Sequence, residues 1–112
     1  MHIIIDAAPP DSVVDLRFTA KTNTTIVVAW RNGFEGSNPI TGHTLRYSVA
    51  GSGAVIQSVS LANSTTTFVL EGLMPFTLYA IAVSSSNIRG SGSAETIEVR
   101  TMSLRKFQVG SV

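Results

Sequence analysis

The sequence predicts an all-β fold, a seven-stranded antiparallel β-sandwich. Three observations carry this. Apolar and polar residues alternate with a period of two through most of the chain, as half-buried strands require. No window longer than about ten residues keeps helical spacing. Clusters of Gly, Pro and Asn recur between the alternating runs and supply the turns.

Taken in order, the first strand is expected over residues 13–21, with Val14, Leu16, Phe18 and Ala20 inward and Asp15, Arg17, Thr19 and Lys21 outward. The second covers 25–31, with Ile26, Val28 and Trp30 inward. The third covers 42–50, with His43, Leu45, Tyr47 and Val49 on one face and Thr44, Arg46 and Ser48 on the other. A fourth covers 55–61 and a fifth 65–70, the latter turning Phe68 and Leu70 inward. The sixth covers 77–85, with Tyr79, Ile81 and Val83 inward, and the seventh 94–101, with Ile97 and Val99 inward. Asn32-Gly33, Gly36, Asn38-Pro39 and Gly42 make a loop between the second and third strands. Gly51-Ser52-Gly53 divides the third from the fourth, and the run from Asn87 to Gly92 divides the sixth from the seventh. Pro9-Pro10 marks the start of the domain, so the sequence divides into a tail at 1–8, a domain at 9–102 and a second tail at 103–112.

The chain has 112 residues, 44% hydrophobic and 13% charged, which suits one domain with one core. The net charge is +1 and no basic stripe is visible, so nucleic acid and an electrostatic membrane anchor are not expected partners. No apolar run approaches the roughly 20 residues of a membrane span. The first six residues lack the charged and apolar regions of a signal peptide, which leaves a cytosolic protein or a piece of a secreted one. With no cysteine, disulfides, thiolate metal sites and cysteine nucleophiles are excluded, and the fold must stand on packing alone. Serine and threonine are abundant and lysine is confined to Lys21 and Lys106, a balance that leans towards an extracellular surface.

Three segments together resemble a known family. Ile26-Val27-Val28-Ala29-Trp30 ends on a tryptophan, and His43-Thr44-Leu45-Arg46-Tyr47 follows the intervening loop. Leu73-Met74-Pro75-Phe76-Thr77-Leu78-Tyr79-Ala80-Ile81-Ala82-Val83 then leads into Asn87-Ile88-Arg89-Gly90-Ser91-Gly92. In this order and spacing they resemble the fibronectin type III domain over residues 9–102. The resemblance implies an immunoglobulin-like sandwich whose structural core includes Trp30, Leu45, Tyr47, Leu73, Pro75, Tyr79 and Val83. It implies that the Tyr79 hydroxyl bonds to backbone near the turn at Pro75. An immunoglobulin domain proper would show the Cys…Trp…Cys pattern, and this chain has no cysteine. His43 stands where the family usually has tyrosine, and it reads as aromatic volume at the rim of the core; a lone histidine is a poor metal site.

Catalytic constellations are poorly supplied. His43 is the one base in reach of a serine nucleophile, and it is expected to point away from Ser84-Ser85-Ser86. The carboxylates Asp11, Asp15, Glu35, Glu71, Glu95 and Glu98 fall in no expected cleft. Gly90 and Gly92 precede no helix and form no phosphate cradle. No catalytic residue, metal or cofactor is therefore expected, and the chain is read as a non-enzyme. Arg46 and Glu98 are expected to share the outer face of one sheet as a weak pair.

Binding is expected at loops. Phe34 and Glu35 stand between the second and third strands, with Phe34 a candidate aromatic anchor. Arg89, Gly90 and Ser91 lie where the integrin-binding member of the family carries Arg-Gly-Asp; serine in place of the aspartate removes the carboxylate, so integrin binding is not expected. Asn23-Thr24-Thr25 and Asn63-Ser64-Thr65 are N-glycosylation sequons in expected surface turns, with Asn23 and Asn63 as acceptors. The resemblance and these features imply an extracellular protein-interaction and spacer module of an animal receptor or adhesion protein. Its partners would be other proteins or neighbouring domains, with no membrane insertion of this segment. The alternatives are a spacer of a secreted microbial polysaccharide-degrading enzyme and an intracellular structural repeat.

Overall fold

The computed structural model describes residues 9–33 and 39–104. Eight strands follow one another: β1 Val14–Lys21, β2 Ile26–Arg31, β3 Gly42–Val49, β4 Gln57–Ala62, β5 Thr67–Leu70, β6 Leu78–Asn87, β7 Gly90–Ser91 and β8 Glu95–Arg100. One antiparallel sheet has the order β1-β2-β5. The other runs β4-β3-β6, and both β7 and β8 pair with β6. The two short strands are halves of one edge: Ser86 and Asn87 face Ser91 and Gly90, and residues 78–83 of β6 face residues 95–100. The eighth strand is thus an extension of the expected seven.

The alternation in β2, β3 and β6 places Ile26, Val28, Trp30, Leu45, Tyr47, Tyr79, Ile81 and Val83 between the sheets, all buried. Val13, Leu16, Leu70, Leu73 and Val99 complete the same cluster. Each such side chain contributes roughly 1.5–3 kcal/mol on burial, and with no cross-link this packing is the main support of the fold. Trp30 meets His43 edge to face at 5.7 Å between centroids, and Tyr47 meets Tyr79 at 6.3 Å. The Tyr79 hydroxyl accepts the Met74 N–H at 2.8 Å, tying β6 to the turn before it as expected.

Three expectations need correction. In β1, only Leu16 of the four inward residues is buried; Val14, Phe18 and Ala20 are exposed. The reason is a bulge. Asp15 has φ 59°, the pairing with β2 jumps between Val14 and Arg17, and the inward sequence becomes Val13 then Leu16. That shift accounts for Val14; a second one between Phe18 and Ala20 sets Ala20 opposite Val27 on the outer face, and Phe18, although opposite the buried Val28, stays exposed on the edge strand. Next, His43 does not point away from the serine run: it sits opposite Ser85 across β3 and β6, and both are buried. Residues directly opposite in an antiparallel pair share a face. Finally, Arg46 and Glu98 form no pair; among the described residues the ion pairs are Arg17–Asp15 at 3.0 Å and Arg31–Asp15 at 3.6 Å. Arg46 lies opposite Ala82 and Glu98 opposite Ala80, two residues apart along β6 and on strands that flank it.

Candidate functional site

The polypeptide enters and leaves at opposite ends of the sandwich. At the entry end, Pro10 to Ser12 run between the β2–β3 loop and the segment joining β7 to β8. The contact is so close that a methyl group built on Gly92 would overlap the Pro10 carbonyl oxygen, and one on Gly33 would overlap that of Ser12. These two glycines are there because no side chain fits. The incoming segment, Gly33, Ser93 and Glu95 line an open groove of about 640 Å³, with Asp11 and Asp15 among its walls.

Beside it stands the β6–β7 hairpin, where the sequence promised an open glycine loop. Asn87 pairs with Gly90, so only Ile88 and Arg89 form the loop. The Asn87 Oδ1 accepts the Arg89 N–H at 2.7 Å, and Gly90 takes φ 132°, a conformation that other residues resist. Below the tip, the Ser86 and Ser91 hydroxyls are 3.1 Å apart and share a hydrogen bond. Ser91 is therefore held in the ladder, and the tip displays Ile88, 73% exposed, next to the exposed Arg89. Ile88 was missed by sequence reasoning. The signal was available: an apolar residue inside an Asn-x-x-Gly turn has nowhere to bury itself. Phe34 and Glu35 lie outside the described residues.

The two sequons fall at opposite ends. Asn63 lies in the β4–β5 turn at the entry end, where its side-chain nitrogen donates to the Ile40 carbonyl at 3.3 Å. Asn23 lies in the β1–β2 turn at the exit end, half-buried, in a turn closed by the Thr22 hydroxyl, which accepts the N–H groups of Thr24 and Thr25.

The buried polar residues form a group of their own. One ring nitrogen of His43, Nε2, is 2.8 Å from the Asn32 Oδ1, and the other, Nδ1, is 3.3 Å from the Ala62 carbonyl. Each ring nitrogen thus has a protein oxygen within hydrogen-bond distance. Ser85 Oγ and Trp30 Nε1, both buried, have no hydrogen-bond partner among the described residues. Again among the described residues, no three His, Cys, Asp or Glu side chains are placed to hold a metal ion.

The architecture has a family. Residues 8–102 match the model of the fibronectin type III domain. The chain belongs to the fibronectin type III family. It is 36% identical over 101 residues to the cell adhesion molecule Dscam2 of Drosophila melanogaster, a match that covers 89% of this chain and 5% of that protein. It is 34% identical over 95 residues to the human receptor-type tyrosine-protein phosphatase F, covering 84% of this chain and 5% of the relative. The crystal structure of the chicken CNTN1 FN1–FN3 domains superposes with a TM-score of 0.73 at 30% identity, over 84% of this chain and 33% of that one. The chain therefore spans about one twentieth of the length of these curated relatives. Against the fibronectin type III pattern, Trp30, Leu45, Tyr47, Tyr79 and Val83 occupy the interior, Leu73 is buried beneath the turn, and Pro75 is partly buried within it.

Proposed function

We propose that this fibronectin type III domain is a non-catalytic, extracellular interaction and spacer module of a multidomain receptor or adhesion protein. The observation that carries the reading is its polarity. The chain enters between Gly33 and Gly92 and leaves beside the β5–β6 turn, where Met102 N–H donates to Thr22 and Phe76 N–H donates to Met102. A rigid sandwich joined in this way sets the spacing between its neighbours. It also holds one hairpin, Ile88 and Arg89, out at the entry end. Kinship with a cell adhesion molecule and a receptor phosphatase supports a surface location.

Several features favour binding over catalysis. His43 and Ser85 face each other, but both are buried and protein oxygens lie against both imidazole nitrogens, so no substrate has access to the pair. The tip residues Ile88 and Arg89 pair an apolar side chain with a cation. A protein surface with an apolar pocket and a nearby carboxylate fits such a tip. Ser91 in place of an aspartate argues against integrin recognition, and the near-neutral surface argues against nucleic acid.

Expression through the secretory route of an animal cell tests the location. Removal of N-glycans from the secreted chain should lower its mass, and Asn23→Gln with Asn63→Gln should abolish the shift. A chain that is retained inside the cell, or secreted with neither asparagine modified, contradicts the surface reading. For the display role, Ile88→Ser and Arg89→Ala should each weaken capture of the parent protein's extracellular partner at least about tenfold without moving the unfolding midpoint. Unchanged capture by both variants would remove the hairpin from the interface.

A further inference from the structure

The exit end carries an apolar surface that the domain itself does not use. Met74 and Phe76 of the β5–β6 turn are each 63% exposed, Met102 is 40% exposed and Leu104 is 65% exposed. Hydrogen bonds hold three of them together: Phe76 N–H donates to the Met102 carbonyl at 3.0 Å, and the Thr101 hydroxyl donates to the Met74 carbonyl, while Leu104 follows Met102 on the outgoing chain. Scattered exposed apolar residues are ordinary, but contiguous ones mark contact sites.

Phe76 adds an independent sign. Its φ is 49°, in the left-handed region that a bulky side chain avoids. Pro75 precedes it in the turn, so Phe76 stands at the position where glycine or asparagine is the usual choice. Its ring meets the Arg100 guanidinium at 4.9 Å and remains mostly in solvent. Strained backbone positions cluster at functional sites, where the surroundings hold them.

We infer that Met74, Phe76, Met102 and Leu104 form the seat of the β-sandwich module that follows on the same polypeptide. The inference rests on the spacer reading above and goes further by naming the surface and its occupant. Two observations select this occupant. Met102 and Leu104 belong both to the patch and to the outgoing chain, so a module that follows is tethered at the patch and docks as an intramolecular event at high effective concentration. The relatives are about twenty times longer than this chain, and the matching contactin structure holds FN1–FN3, of which one third is covered here. The expected counter-surface is apolar, with a carboxylate placed for Arg100. The contact would fix the angle between the two modules.

Methionine oxidation reads the patch directly, because a buried thioether reacts slowly with peroxide. The comparison is between this chain and the longer parent chain that includes the next module, both carrying Asn23→Gln so that no glycan at this sequon shields the patch. Peptide mass spectrometry after graded hydrogen peroxide should show Met74 and Met102 oxidised at least about threefold more slowly in the longer chain. Phe76→Gly, which suits the positive φ, should keep the fold by circular dichroism yet restore fast oxidation in the longer chain. Equal rates in the two chains overturn the docking surface and leave the spacer reading intact. A parent chain with no module after this one overturns both. Concentration-dependent protection in the short chain, with dimers in sedimentation, would assign the patch to a second copy and overturn the proposed occupant.

Discussion

Removing the Tyr79 hydroxyl tests the link between the core and the β5–β6 turn. The hydroxyl accepts the Met74 N–H at 2.8 Å, while the ring is buried against Tyr47. Tyr79→Phe keeps the ring and its packing, so what is lost is the hydrogen bond and the pairing of one backbone donor. A net hydrogen bond contributes about 0.5–1.5 kcal/mol, and an unpaired buried donor costs about 1–3 kcal/mol. The Met74 side chain is in solvent, so water can partly reach its N–H, and the expected loss is about 1–1.5 kcal/mol. That corresponds to a fall in Tm of roughly 4–10 °C for a domain of this size. Tyr47→Phe is the control. Its hydroxyl donates to Gln57 Oε1 at 3.1 Å, and Gln57 is exposed on the edge strand β4, where water substitutes freely. Its cost should stay below about 0.5 kcal/mol. Urea unfolding at constant m gives both numbers. A Tyr79→Phe loss no larger than that of Tyr47→Phe would refute the assignment of the bond as a structural tie.

Gly92→Ala should cost about 1–3 kcal/mol, since its methyl group overlaps the Pro10 carbonyl and the incoming segment must shift; a wild-type midpoint in urea would contradict the close approach. At the β1 bulge, Asp15→Val should lose about 1–2 kcal/mol because a β-branched residue resists φ 59°, whereas Asp15→Gly should stay within about 0.5 kcal/mol of wild type. Equal losses in thermal melts would place the cost in the exposed Arg17 and Arg31 ion pairs instead. Phe76→Gly should leave the stability of the isolated domain within about 1 kcal/mol of wild type, as relief of strain offsets the lost cation–π contact and the greater freedom of the unfolded chain. A loss of several kcal/mol would mean that the ring supports the fold.

Much of the fold was legible because burial writes period two into a strand. Trp30, Leu45, Tyr47, Tyr79 and Val83 were each assigned inward from alternation and the family pattern, and each is buried. Alternation failed in β1, where one extra residue at Asp15 and a second between Phe18 and Ala20 put Val14 and Ala20 on the outer face while Leu16 stays inward. A bulge leaves no clear trace in a single sequence: Asp tolerates positive φ better than most residues, but nothing marks this Asp as the one that uses it. The candidate site was less legible. Asn87 and Gly90 were read as loop residues although they close a two-residue hairpin, because glycine signals a turn without fixing how tightly it closes. His43 opposite Ser85 depended on register between strands separated by a long stretch of chain, which alternation within either strand does not specify.

Among the described residues, the two non-glycine residues at positive φ invite comparison, because strain must be offset by something. At Asp15 the return is local. The bulge turns Val13 and Leu16 inward together, and the carboxylate meets both Arg17 and Arg31. At Phe76 the described residues supply no equivalent return. Its N–H bond to Met102 and the bond from the Thr77 hydroxyl to the Pro75 carbonyl would survive a change to glycine, and the ring gains only Arg100. A strained backbone that projects an aromatic ring into solvent is stabilising only where something covers that ring. Cover of the Phe76 ring by a following module, as proposed above, would supply that compensation at the exit end.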